Sequence, residues 1–323
     1  MIDLRADNEQ RQIVESAADL LEASAPVSRL RNGAHGGDVH AALADWGWFG
    51  VGVVEQRGGL GLGVAEEVLL HLLAGRHLTP VTALATTLAA AIAAPEVCAE
   101  LLAGRRRAAL AFPARGGRFF AVDRTGAADL LLFEPQAISL MPVAAFEGRP
   151  VDSLDDQVVI EAGRLDLGRI VSRVPAERGL LLIAAMLAGM AAACRDLAVD
   201  YAGVREQFGQ PIGAFQAVKH LCADMGLRAY AAEAQVKLAG ATIACTPDAA
   251  PFQVAAALAT AIAAAIENAE AAIQVHGGIG FTAECDVHVF LKRAHLMART
   301  VGGRSTHLAA LLAFPPPAGV EAE

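Results

Sequence analysis

The chain is poor in aromatic residues, in lysine and in clustered charge. Aromatic side chains make up 5% of its 323 residues, so its interior must close with small side chains rather than large rings. Charged residues are 19% and hydrophobic ones 54%, which excludes a disordered chain and supplies a large core. At this length one large or two to three smaller domains are expected. There is no long basic run and the net charge is −9, so no nucleic-acid surface is expected. The run Arg105-Arg106-Arg107 reads as a solvated helix end. Five cysteines, Cys98, Cys194, Cys222, Cys245 and Cys285, are widely scattered without a CxxC pair. That fits reduced thiols in a cytoplasmic protein, not a disulfide framework. His276, His288 and His295 do not share a helix face at i,i+4 spacing, and no metal site is expected. The apolar stretch Gly179–Cys194, sixteen residues, is short of the roughly 20 that span a bilayer and reads as a buried helix, so no membrane partner is expected. The start, Met1 to Glu9, is polar and mixed in charge, so no secretory signal is expected.

What is abundant is alanine, which lets helices approach closely. Helical periodicity marks 3–25, 38–48, 64–73 and 81–112, the last broken at Pro95. Glu66 and Glu67 open the third of these, where acidic side chains suit the helix dipole. The glycine loop Gly58–Gly63 is not a GxGxxG in register, and no acidic residue follows at the spacing a dinucleotide fold needs. From residue 108 the pattern changes to short runs, 108–112, 118–122, 130–134, 137–141 and 157–161, separated by Gly, Pro and Asp, a strand-and-turn signature. Long helices return from about 176 to 313. Helices, strands, helices is an α+β order with a β module between helical parts.

Two segments carry chemistry. In Tyr201-Ala-Gly-Val-Arg205-Glu-Gln-Phe208-Gly209-Gln-Pro211-Ile-Gly213-Ala-Phe215-Gln216 a cation, a ring and an amide gather at a helix junction. Arg205 and Phe208, three apart, are expected on one helix face, and Phe215-Gln216 open the next helix. An arginine fork suits phosphate oxygens. In Ile273-Gln274-Val-His276-Gly277-Gly278-Ile-Gly280-Phe281 glycines end an alanine-rich helix. In this order and spacing the two segments resemble the acyl-CoA dehydrogenase family. The likeness continues in Glu284–Ala294 and, more weakly, in Leu43–Gly50 and Arg57–Gly63. It covers roughly 1–110 and 170–315.

The resemblance implies an α+β, acyl-CoA dehydrogenase-like fold. It has an N-terminal helical domain (1–107), a small truncated β domain (108–170), and a C-terminal four-helix-type domain with a Pro-rich tail (171–323). It implies α,β-desaturation of an acyl-CoA thioester: a carboxylate takes the α proton and FAD accepts the β hydride, with an electron-transfer flavoprotein or similar acceptor downstream. In the family the adenine-pyrophosphate end of FAD reaches a neighbouring subunit through residues that correspond here to Arg205, Phe208, Gly209, Gln216, Gln274, Gly277 and Gly278. That half is intact. The other half departs from the pattern. The family's Thr-Glu-Pro and Gly-Ser-Asp runs are replaced by Ala111-Phe112-Pro113 and Ala114-Arg115-Gly116-Gly117, and no tryptophan follows Trp48. The family's usual base position falls on Thr300-Val301-Gly302-Gly303, without a carboxylate. An alternative position at the start of the helix leading into the arginine motif falls on Gly179. Glu177, two residues earlier, is expected to point away, because two residues turn a helix by about 200°. Glu177 is therefore a weak candidate base. The combination resembles the accessory subunit of actinobacterial heteromeric acyl-CoA dehydrogenases of lipid or steroid breakdown. The expected assembly is a heterotetramer with a catalytic paralogue. A homomeric enzyme with a displaced base, and a non-enzymatic scaffold, are the alternatives.

Overall fold

In the computed structural model, which describes residues 4–32 and 37–315, the chain runs helices, sheet, helices. The polar start up to residue 3 and the tail beyond Pro315 lie outside the described residues. The N-terminal part holds α1 (Asn8–Ser24), α2 (Gly37–Trp46), α3 (Val64–Arg76), α4 (Val81–Ile92) and α5 (Pro95–Leu102). Asp7 caps α1 in a reciprocal pair with Gln10. Gln10 also donates to Glu66 at 2.7 Å, which ties α1 to the start of α3. Pro95 starts α5 as its first residue, where a missing N–H costs nothing.

The sheet holds β1 (Ala108–Pro113), β2 (Phe119–Val122), β3 (Asp129–Phe133), β4 (Ala137–Pro142), β5 (Phe146–Val151), β6 (Ile160–Leu165) and β7 (Ser172–Pro175). Their order is β5-β6-β2-β1-β3-β4-β7, with β1 and β3 parallel and every other pair antiparallel. Alternate residues go to opposite faces. Leu110, Phe112, Leu131, Phe133 and Ile138 join the helical core, while Ala109, Ala111, Leu130, Leu132 and Met141 form a second, smaller core. The sheet is thus larger than the five runs in the sequence, and it ends at Pro175 rather than at 170. The two strands missed, β5 and β7, are its edges. They carry the Gly, Pro and Arg that edges tolerate and that blur a strand pattern. Arg106 corrects another expectation. It is not solvated but holds Asp129 through two hydrogen bonds, fastening the turn after α5 to the sheet.

The C-terminal part holds α6 (Glu177–Val204), a two-strand hairpin of β8 (Glu206–Gln207) and β9 (Gln210–Pro211), α7 (Gln216–Cys245), α8 (Ala250–His276), α9 (Val287–Thr300) and α10 (Arg304–Ala313). Both α6 and the stretch Pro247–Phe281 are long and apolar enough to cross a membrane, the second unrecognised from sequence; here they are packed core helices. Alanine and glycine allow this packing. At the crossing of α3 and α6, a Cβ on Gly75 would strike the Met186 carbonyl, and one on Gly189 the Leu72 carbonyl. Only glycine permits that approach.

Candidate functional site

Because α6, α7 and α8 run alternately up and down the bundle, the end of α6, the start of α7 and the end of α8 meet at one end. The two sequence motifs are brought together there. Arg205 is not on a helix: α6 stops at Val204, Arg205 is extended, and the chain turns through the hairpin. The expected shared helix face of Arg205 and Phe208 is therefore replaced by a tight turn. Phe208 (φ 54°) and Gly209 (φ 78°) are its two central residues, and positive φ at both is the two-residue hairpin geometry that matches strand twist. A left-handed phenylalanine costs roughly 1–2 kcal/mol, and here it puts the ring 92% exposed at the tip. The ring meets Phe215 edge-on at 6.1 Å, next to Gln216, the first residue of α7.

On the other side, Tyr201 stacks on His276 with ring centroids 4.3 Å apart and planes 19° off parallel. His276 is fixed through Nδ1 to the Ala272 carbonyl at 2.8 Å. This stack joins the two motifs and was not picked out from the sequence, although Tyr201 lies one helical turn before Arg205. Arg205, Gln216, Gln274, Gly277 and Gly278 are all exposed. Arg205 has no ion-pair partner among the described residues. A Cβ added at Gly209, Gly277 or Gly278 would meet nothing within 4 Å. The result is an open cradle with a free guanidinium, free amides and bare backbone.

A second site lies at the other end of α6, whose 28 residues make a rod about 42 Å long. A cavity of about 650 Å³ is walled by β1, β3, α6, α8 and α10, and its lining includes Phe133, Glu177, Leu258, Val301, His307 and Phe314. Sequence reasoning turned Glu177 away from this space, and the structure reverses that. Gly179 faces Phe133 and Leu88, while Glu177, the first residue of α6, lines the cavity together with Val301. Its neighbour Arg178 fixes the helix start. It binds Glu67 through Nε at 2.7 Å and Nη2 at 2.5 Å, and the Gly52 carbonyl at 3.2 Å. Glu67 is 1% exposed, so this is a buried clamp in addition to a first-turn charge. His307 contacts the Val301 carbonyl at 3.0 Å, and burial pulls its pKa down against that contact. It is neutral near pH 7.

A third, flatter space of about 390 Å³ lies between the sheet and α9, lined by Phe112, Phe120, Ile160, Lys292 and Arg299 among others. Arg299 lines this slot and the larger cavity. The one hydroxyl in its lining among the described residues, Ser153, donates to the Asp155 carbonyl.

Comparison with known proteins gives this architecture a family. The profile described as "Acyl-CoA dehydrogenase, N-terminal domain" matches residues 7–99, and "Acyl-CoA dehydrogenase, C-terminal domain" matches 168–313. The chain belongs to the acyl-CoA dehydrogenase family. Acyl-CoA dehydrogenase FadE34 of Mycobacterium tuberculosis is 37% identical over 320 residues, covering 89% of this chain and 44% of FadE34. Acyl-CoA dehydrogenase IpdE2 of the same organism is 35% identical over 252 residues, 75% of each chain. In fold, the ChsE4-ChsE5 complex from M. tuberculosis matches with a TM-score of 0.82 at 21% identity, over 98% of this chain and 100% of that one. The chain thus spans less than half of FadE34. Oxidoreductase activity is general in the family, and FAD is its cofactor. The open cradle fits the pyrophosphate end of that cofactor. The slot offers a flat apolar floor, but its one hydroxyl is already engaged.

Proposed function

We propose that this chain is a subunit of an FAD-dependent acyl-CoA dehydrogenase and completes the FAD site of a catalytic paralogue. The observation that carries this is the separation of cradle from cavity. They sit toward opposite ends of the bundle: about 36 Å of α6 runs from Leu180 to Val204 and about 27 Å of α8 from Leu258 to His276 between cavity and cradle. In this reading the separation assigns the cradle to an FAD whose flavin end lies in another chain. In that arrangement Arg205 binds the pyrophosphate, Gln216 and Gln274 supply amide contacts, and Gly277 and Gly278 let the backbone approach. FAD, when bound, supplies the acceptor for the substrate's β hydride.

The paralogue is favoured as the other chain because the slot lacks a free hydroxyl and Val301 stands where the family's common base would be. Val301 cannot take a proton at any pH. Support also comes from the ChsE4-ChsE5 complex, built of two named proteins, and from FadE34, of which more than half lies outside the match. The chain expressed alone is expected to carry little FAD and to self-associate poorly. Flavin absorbance together with light scattering tests this. A stoichiometric yellow homotetramer, active on an acyl-CoA, overturns the reading.

One observation favours a second reading, a homomeric enzyme. Glu177 shares the large cavity with Val301 and, among the described residues, is the only carboxylate there outside an ion pair, since Glu134 is held by Arg173 at 2.7 Å. A base must reach the proton directly or through one water, and this second reading gives that role to Glu177. Glu177→Gln separates the readings. Turnover within a few-fold of the parent keeps the accessory role. A loss of several hundred-fold, at unchanged flavin content and assembly, makes Glu177 the base.

A further inference from the structure

The sheet carries a cation cluster that the cradle and the cavity do not use. Arg118, Arg149 and Arg164 line one open concavity of about 640 Å³, with Glu147 and the backbone of Gly116 and Gly117. The strand register makes them converge. Phe119 pairs with Gly163 in an antiparallel ladder, so the next step outward sets Arg118 opposite Arg164. On the other side Glu147 pairs with Arg164 and Arg149 with Ala162, which puts Arg149 diagonal to Arg164. Paired and diagonal residues share a face. None of the three arginines is in an ion pair among the described residues. Glu147 offsets one charge, leaving two net positive charges in a chain whose total is −9.

Like charges directly opposite on neighbouring strands destabilise a sheet, and an anion between them removes the cost. Guanidinium forks match phosphate oxygens in pairs. Gly116 (φ 72°) and Gly117 (φ 69°) both take the left-handed conformation, and a Cβ on either would meet nothing within 4 Å, so the backbone there is open to a ligand. Side chains alternate along a strand, so Arg118 shares its face with Phe120 two residues on, and Phe120 lines the flat slot against α9. A cationic concavity therefore continues into a flat apolar slot.

We propose that Arg118, Arg149 and Arg164 form a binding site for a phosphate-bearing ligand, a pyrophosphate or phosphomonoester group. The choice of nucleotide probes rests on the family reading; the anion site itself rests on the register and charges above. Calorimetry on the full chain is run with three probes. ADP carries a pyrophosphate, adenosine 3′,5′-bisphosphate carries separate phosphomonoesters, and inorganic phosphate carries no base. At least one is expected to bind the parent, more weakly as salt is raised, and at least tenfold more weakly to Arg118→Gln/Arg164→Gln. Which probe wins identifies the source of the phosphate. That variant should melt close to the parent, because the unfavourable Arg118–Arg164 pair and the favourable Glu147–Arg164 pair are lost together; Arg149→Gln, on the sheet edge, is a second variant that leaves the ladder untouched. Equal affinity in parent and variants, or no binding of any probe to the parent, overturns the proposal. No turnover is measured, so a chain that binds a probe through these arginines but forms no dehydrogenase keeps this site and loses the functional reading. A chain that assembles into a dehydrogenase but binds no probe through these arginines does the reverse.

Discussion

Asp155→Asn should destabilise the protein far more than its single lost charge suggests. Asp155 sits in the loop between β5 and β6 and meets Arg293 of α9 at 2.5 Å, with the side chains 1% and 3% exposed. Arg293 also reaches the Thr79 carbonyl, at 3.5 Å, so one guanidinium joins the N-terminal helices, the sheet and the C-terminal helices. A second cation is close. Arg29 has its pKa lowered to about 10, first by burial and then by the charge of Arg293. Asparagine keeps the shape and one acceptor but leaves the buried Arg293, close to a second cation, without its counter-charge. Breaking a buried pair from one side costs about 3–5 kcal/mol. At about 2 °C per kcal/mol for a chain of this size, the melting temperature should fall by about 6–10 °C. Differential scanning calorimetry on the parent and variant measures it. The double replacement Asp155→Leu/Arg293→Met, which removes both charges, should recover most of the loss. A fall below about 2 °C in the single variant, or no recovery in the double, refutes the account of Arg293 as a buried hub dependent on Asp155.

Arg205→Ala should weaken FAD retention in the assembled complex by roughly 10- to 150-fold, from about 1.5–3 kcal/mol for a charge-assisted contact. Arg205→Lys should recover only part of it, for want of the planar fork, and flavin titration reads both. Gly189→Ala should cost about 1–3 kcal/mol in urea unfolding by forcing α6 off α3; an unchanged midpoint would mean the crossing gives way freely. His40, His71, His77 and His307 all have pKa values lowered, chiefly by burial. The unfolded chain therefore takes up protons that the folded chain refuses. Stability should be full above pH about 6.5 and be lost as the pH falls below it, and His71→Leu should flatten that slope in melting scans between pH 7.5 and 5.

The sequence displayed what depends on neighbours in the chain. The helix break at Pro95, the helix start at Gln216 and the glycine stop after His276 are local chemistry, and the structure has them in place. It concealed what depends on residues far apart. Glu67 reads as a first-turn acid, and its engagement with Arg178, 111 residues away, cannot be seen from spacing. The same distance effect misled the reading of Glu177. Counting back along an ideal helix assumes that the cavity stays at a fixed angle around α6, whereas the Arg178 clamp sets where the helix starts and which residue meets the cavity. Arg205 and Phe208 show the reverse error. Their three-residue spacing suits a helix, but a hairpin with two left-handed residues takes the segment over.

The distance between cradle and cavity also supplies a test that needs no knowledge of the acyl group. If this chain alone forms the enzyme, each FAD site takes its cradle from one copy and its cavity from another. Arg205→Ala and Glu177→Gln would then each inactivate every site, for different reasons. In an isologous pair made by random mixing of the two variants, half the pairs are mixed, and each mixed pair has one site with both parts intact, so about a quarter of the parent activity returns. If a paralogue holds the catalytic cavity, Glu177→Gln is close to the parent by itself. Activity in the mixture then simply follows the fraction of intact cradles. Rescue of two dead variants by each other assigns the chemistry to this chain. A live Glu177→Gln beside a dead Arg205→Ala assigns it to the partner, with this chain lending the cradle.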